Sequence, residues 1–540
     1  MFGAQTPALP TDLLERQLLP FLPVRSVLRL ARCSKTCRAA LSSDNGASID
    51  ELFWQERHRR RWKTSKAAEL TTTSTTSDDD GNAANDTRQQ VQGAPGIGKW
   101  HASYKRRHEL DATVKKHLRS PRHGAPPSED PAWKYLLVDG GLDIFDRLHT
   151  IASSASPSRH RRQDGGDEFV ADLGTIGDFE RDVAKSALVA INRIDVISRW
   201  RHLISSPSSS VHIEDGAKLL ARFYVGTQRV VASFSGGRLD HLDDLIDSHL
   251  GHLSHHLCLR LLTQHEGMSK AEAMARYAVI DEDGDQMISL ANCEDRHFSL
   301  RGILEEMQNI FRGAAGLRVG LRGNVEDYYS YENSLLDHVL SKGLGIPISL
   351  SVIYAAVVRR AVGVVLDPVG LPGHFVLATP SSDDNNVDGE RLFIDAFRGG
   401  EILSLDDVQA IVASYQIPWD DSFLEAVPYK DVWTRMVRNL RACHEKNVTL
   451  ELLNEDNQAL RVLGRQHFAE LLRQIPPDEM AHLRYQRAMS FSIGIFLSGV
   501  IEGSFDADSL ILDLLTNSLP VSALHTRHTH SVFHRDMCSS

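Results

Sequence analysis

The segment from Arg322 to Gly400 most narrows what this chain can fold into, because glycines and prolines cut it into short, distinct pieces. Gly345-Ile346-Pro347 reads as a turn running into a helix, with proline in the first turn, where its missing N–H breaks no helical bond. The helix is expected from Pro347 to about Arg360. Two β-rich runs follow, His374-Phe375-Val376-Leu377-Ala378 and Arg391-Leu392-Phe393-Ile394-Asp395, on either side of the polar stretch Ser381–Gly389. Their composition and the loop between them predict an antiparallel pair. Such a pair brings His374 close to Asp395, a base beside the carboxylate that fixes its tautomer. Gly370, Gly373, Gly399 and Gly400 permit tight turns at both ends.

These runs, with Arg322-Gly323-Asn324-Val325-Glu326-Asp327-Tyr328-Tyr329, Asn333-Ser334-Leu335-Leu336 and Leu371-Pro372-Gly373-His374-Phe375, resemble the SirB-type branch of the transglutaminase-like (papain-type) superfamily. The match is specific from about Gly323 to Gly400. It implies a Cys-His-Asp site whose cysteine sits near a helix N-terminus, where the dipole and a histidine favour the thiolate. The family's spacing puts that position at Ile348, with Ser349 adjacent, and neither is cysteine. The nearest cysteines, Cys293 and Cys443, are expected in other helices. The same branch typically carries an apolar residue or serine here. Two readings follow. In one, His374 and Asp395 are an inherited polar network in a pseudoenzyme, with or without a ligand in the remnant cleft. In the other, Ser349, His374 and Asp395 form a serine-dependent hydrolase or transamidase, which requires the histidine within reach of the hydroxyl proton.

A second resemblance lies at the N-terminus. Leu9-Pro10 leads into Thr11 or Asp12 as a helix N-cap, and Leu14, Leu18, Phe21 and Leu22 share a helical face. Pro23 suits the first turn of a second helix, which carries Val27, Leu30, Ala31, Cys37 and Leu41, and Leu52-Phe53-Trp54 follows. Residues 7–62 as a whole resemble an F-box, the helical module that docks on the Skp adaptor of cullin-RING ubiquitin ligases. The resemblance implies that Leu9, Pro10, Leu13, Leu14, Leu18 and Leu28 fill or shape the Skp-facing surface. F-box proteins that also carry the transglutaminase-like domain resemble the whole chain.

At 540 residues the chain predicts three or four structural units at roughly 100–200 residues each. Residues 66–98 are a low-complexity linker too polar to offset chain ordering, and 99–214 form a helical connector with a second polar break near 153–166. The connector holds helices at 100–118, 132–148 and 178–203. The transglutaminase-like domain is expected over 215–410, with helices at 217–224, 241–262 and 270–279 and a mixed α/β half after Asn324. Helices at 431–447, 457–473 and 480–497 fill a C-terminal region over 425–517. Their spacing permits stacking, although no self-similar period is found. A disordered tail is expected over 518–540. The fold class is therefore mainly α with one α/β, papain-like domain.

The net charge of -11 repels a phosphate backbone, so no nucleic acid is expected as partner. Val352–Leu366 is interrupted by Arg359 and Arg360, and no membrane span is expected. Six scattered cysteines give no disulfide framework, and the basic n-region of a secretory signal is missing, so a cytoplasmic or nuclear protein is expected.

Several partial motifs carry little. Gly93–Lys99 approaches a phosphate loop but is followed by Trp100 where a hydroxyl must reach the metal. Asp281-Glu282-Asp283-Gly284-Asp285 opens like a calcium loop, yet Gln286 takes the turn-glycine position and Asn292 the closing glutamate. Cys33 with Cys37, the histidines at 249, 252, 255 and 256, and those at 525, 528, 530 and 534 lack a second ligand set, so neither metal nor cofactor is expected. The basic run Arg57–Arg61 reads as a solvated edge. The chain is therefore expected to be an adaptor that carries no ubiquitin-transfer chemistry itself, its transglutaminase-like domain selecting an unidentified target.

Overall fold

The computed structural model describes residue 54 and residues 99–119, 137, 140, 144–154, 177–207, 210–225, 241–280, 286–293, 298–313, 320–380, 391–445, 493, 494 and 496. The expected F-box apart from Trp54, the linker at 66–98, most of the break at 153–166, the helices at 457–473 and most of 480–497, and the tail lie outside the described residues. So do the near-phosphate loop before Lys99, the acidic run 281–285, the basic run 57–61, and Cys33 with Cys37.

The chain divides into two compact units, Met1–Ile191 with Thr227–Leu239 and Leu519–Ser540, and Asn192–Gly226 with Asp240–Ser518. In the first, helix α1 (Lys99–Arg119) buries Tyr104, Arg107, Asp111, Val114 and Leu118, a stripe at the three-and-four spacing of one helical face. The Trp54 ring lies 5.2 Å from that of Tyr104. Helix α2 (Phe145–Ser153) runs past the expected end at Leu148, because Ile151 and Ala152 continue its buried face. Arg107 of α1 is buried beside Asp146 of α2.

Helix α3 (Asp178–Ser205) supplies Asn192 onward to the second unit. There follow α4 (Ile213–Phe223), α5 (His241–Arg260) with a wider turn at Leu261–His265, and α6 (Lys270–Tyr277). The helix expected to reach Val279 stops at Tyr277. Ala278–Ile280 is instead strand β1, paired antiparallel with β2 (Gln286–Ile288), so β structure begins well before Asn324. Branched Val279 and Ile280 favour the pleated conformation. Strands thus flank the acidic run, where a calcium-binding hand would have helices. Helix α7 (Leu300–Phe311) is absent from the expectations above, although Ile303, Leu304, Met307, Ile310 and Phe311 form its buried face.

Strand β3 (Arg322–Gly323) pairs in parallel with β4 (Leu344–Gly345), the two joined through a short 3-10 turn (Tyr331–Ser334) and α8 (Leu336–Lys342). Helix α9 (Pro347–Val362) is buried around its whole circumference from Pro347 to Val358. Such a helix can only be central, and α9 packs against α4, α5 and the sheet. Gly363 closes it in the left-handed region at φ 75°, its N–H bonded to the Arg359 carbonyl at 2.9 Å.

Four antiparallel strands, β5 (Asp367–Val369), β6 (Val376–Ala378), β7 (Phe393–Asp395) and β8 (Glu401–Leu403), lie in chain order. Both inner strands are buried at every residue. Val369, Val376, Phe393 and Leu403 join Val408, Ile411 and Val412 of α10 (Leu405–Ser414) in one apolar cluster. Helix α11 (Tyr429–Glu445) follows α10. Among the described residues, no helix is long and apolar enough to cross a membrane.

Candidate functional site

The antiparallel register of β6 and β7 sets Leu377 opposite Ile394 and Ala378 opposite Phe393. Asp395 ends β7 and His374 lies just before β6, so the pairing draws the two side chains to the same end of the sheet. His374 Nε2 lies 2.9 Å from Asp395 Oδ2. The carboxylate is fully buried and the imidazole nearly so. The other oxygen, Oδ1, accepts the N–H groups of Phe397 at 3.0 Å and Arg398 at 3.3 Å, so Asp395 caps the short turn that follows it. With Nε2 held by the carboxylate, Nδ1 is the nitrogen left to act as a base or acceptor. The Phe397 ring stands edge-on to the imidazole with centroids 6.2 Å apart.

Residues distant in sequence fix the histidine's backbone. Arg435 of α11 donates from Nη2 to the carbonyls of His374 at 2.8 Å and Leu371 at 3.1 Å, and its guanidinium lies over the Phe375 ring. Burial holds the Arg435 pKa below its ordinary value. Gly373 adopts φ 72°, and a Cβ there would meet the Tyr415 ring at 2.6 Å. No sequence signal marks Arg435, since helical periodicity does not say which distant turn a long side chain reaches.

The N-terminus of α9 is built differently. Ile348, where the resemblance led to the expectation of a nucleophile, is buried. Ser349 is also fully buried, and its hydroxyl donates to the Asn333 carbonyl at 2.6 Å while accepting the Ile346 N–H at 3.2 Å. Ser349 thus caps the helix, sharing the Ile346 N–H with the Asn333 carbonyl, which also accepts it at 3.2 Å. The structure brings His374 to Asp395 but gives the Ser349 hydroxyl to backbone groups. Asn333 continues this network, donating to the Asp327 carbonyl at 2.6 Å and accepting from Asn324 Nδ2 at 3.1 Å. The two asparagines therefore pin the Asn324–Ser334 segment, a role the sequence motif did not reveal.

Two of the described cysteines, Cys258 and Cys293, give no substitute. Cys258 is buried in α5, its thiol bonded to the Ala361 carbonyl at 3.4 Å, and burial pushes its pKa up to about 12. Cys293 sits in a turn after β2 and not in the helix expected for it, because Leu290 accepts its N–H at 3.0 Å and closes that turn. His255 accepts the Ile288 N–H at 2.9 Å, which ties that histidine group to β2. Among the described residues no group of His, Cys, Asp and Glu is arranged to hold a metal.

Residues 288–438 match the family model of the transglutaminase-like superfamily. A UPF0162 protein of Xylella fastidiosa (strain 9a5c) is 35% identical over 133 residues, which are 24% of this chain and 45% of that protein. F-box only protein 21 of Mus musculus is 30% identical over 196 residues, 36% of this chain and 28% of that protein. The Homo sapiens F-box only protein 21 gives the same identity over the same length. The chain thus spans less than half the length of these relatives. No solved structure matches it. The region from 288 to 438 is a transglutaminase-like domain within a mostly helical chain, and about a third of the chain is similar to F-box only protein 21.

Proposed function

We propose that this chain is the substrate-receptor subunit of a Skp–cullin–F-box ubiquitin ligase, with a SirB-type transglutaminase-like domain that recognises the target without catalysis. The observation that carries the non-catalytic part is the α9 N-terminus. Its nucleophile position is a buried isoleucine, and the adjacent Ser349 hydroxyl is committed to the Asn333 carbonyl. A serine whose proton is held by a carbonyl acceptor has no base to take it, and unactivated serine is a poor nucleophile. The adaptor part is supported by similarity to F-box only protein 21 and by the F-box resemblance over 7–62. An adaptor needs no transfer chemistry of its own, because holding a target near a charged conjugating enzyme raises its effective concentration.

Two experiments test this reading. The full chain should co-purify with a Skp adaptor, and an aspartate at Leu14 or Leu18 should abolish the association. A wild-type chain that fails to bind Skp removes the receptor assignment. An active-site serine probe should leave the protein unlabelled. Labelling that disappears in Ser349→Ala would instead establish the hydrolase reading.

A further inference from the structure

Beside the turn capped by Asp395 lies a cavity of about 480 Å³ lined by β3, the end of α7, the α8–β4 junction and residues Phe397–Gly399. Its volume is in the range of specific ligand sites. Among the described residues, its lining holds the cations Arg312, Arg322, Lys342 and Arg398 and no carboxylate. Lys342 is paired with Glu332. Arg398 has only long contacts, 3.5 Å to Asp395 and 3.7 Å to Glu401, and its side chain is 57% exposed. Arg312 and Arg322 make no ion pair among the described residues. Two guanidinium groups therefore line this space without a carboxylate partner among the described residues, within a chain whose net charge is -11. Beneath the cations the wall is apolar, with Phe311 and Leu321 buried and the Phe397 ring laid against Gly323. Arg322 and Asn324 donate their N–H groups to the Gly343 and Gly345 carbonyls at 2.9 Å each, so strand alternation turns that of Gly323 away from β4.

We propose that this cavity binds a phosphoryl or carboxylate group carried on an extended peptide of the protein to be ubiquitinated, with Arg312 and Arg322 as its anion-binding forks. The inference rests on the receptor reading above and names what that receptor reads. Planar guanidinium groups match both oxyanions bidentately. The apolar wall suits a side chain flanking the anion, and the Gly323 amide suits the peptide backbone. An extended polyanion is disfavoured, since an acidic chain repels it beyond this local patch. The proposal also gives the His374–Asp395 pair a task, because the same carboxylate that holds His374 fixes Phe397 and Arg398 in the cavity wall.

The test uses the full chain and three fluorescein-labelled degenerate peptide pools, identical except for phosphoserine, glutamate or serine at the centre, read by anisotropy. The phosphoserine or glutamate pool should bind about tenfold more tightly than the serine pool, and which of the two leads identifies the oxyanion. Arg312→Gln with Arg322→Gln should remove that preference. Arg322→Lys, which keeps the charge but loses the fork, should remove part of it. Equal binding of all pools, or an undiminished preference in the double glutamine variant with an unchanged melting curve, overturns the proposal. So does a melting shift with inorganic pyrophosphate when neither anionic pool binds, which would identify a site for free anions. Skp co-purification in the same preparations separates the two levels. Its loss defeats the receptor reading, whereas its retention beside failed peptide binding defeats only the cavity.

Discussion

The sheet end and the α9 end of the candidate site are built in opposite ways. At the sheet, His374 and Asp395 keep a base-and-carboxylate geometry at 2.9 Å, with the carboxylate fully buried. At the head of α9, Ile348, expected at a nucleophile's position, is buried, and the Ser349 hydroxyl is bonded to backbone groups. The difference shows that a polar pair can persist for the structure it supports. A buried carboxylate that accepts two backbone amides and a ring N–H cannot be removed without leaving all three unpaired. Ile348, buried and apolar, leaves no such groups unpaired.

The sharpest way to break this contrast is to remove Asp395. Asp395→Ala should destabilise the domain by about 3 kcal/mol in denaturant titration, as expected on leaving several buried hydrogen-bond donors unpaired at once. A loss under about 1 kcal/mol would mean that the pair supports little structure, and its survival would need a chemical explanation. Gly323→Ala comes next. An added Cβ would lie 2.4 Å from the Phe397 ring, so about 2 kcal/mol of overpacking is expected, together with weaker peptide binding. Unchanged stability and binding would show that the wall between β3 and the Asp395 turn is not closely packed.

The other end of α9 offers an ionic comparison. Glu214 is buried against Arg359 and Arg360. Burial alone would raise its pKa, but the two guanidinium groups outweigh this and hold it below the ordinary 4.5. A lowered folded-state value stabilises the fold above the unfolded pKa, and that contribution disappears as pH falls through the folded value. Glu214→Gln should therefore lose about 1 kcal/mol near neutrality and show a flatter acid limb below about pH 4.5 in chemical denaturation. Parallel acid limbs for the two proteins would contradict the pairing. The smallest effect is reserved for Ser349→Ala, about 1 kcal/mol for a lost cap, with no change in serine-probe labelling.

Much of the site was legible in the local pattern. The helix from Pro347 and the two β-rich runs follow from proline geometry, apolar continuity and β-branched composition, which act over a few residues, whereas Gly345, read as part of a turn, ends strand β4. Local pattern failed where competing preferences were close, as at Val279 and Ile280, whose β-branched side chains ended α6 early. It also overlooked α7 despite that helix's buried face.

By itself, the sequence determined that positions 348 and 349 hold no cysteine, where the histidine and aspartate stand, and the antiparallel pairing that lets them meet, because residue identity and short-range periodicity need no knowledge of the fold. Only the tertiary structure decided what the Ser349 hydroxyl bonds, that Arg435 anchors the histidine loop, and that Arg312, Arg322, Lys342 and Arg398 gather around one cavity. Those outcomes depend on packing between segments far apart in the chain, where hydrogen-bond reach and exclusion of water, and not local preference, select each side chain's partner.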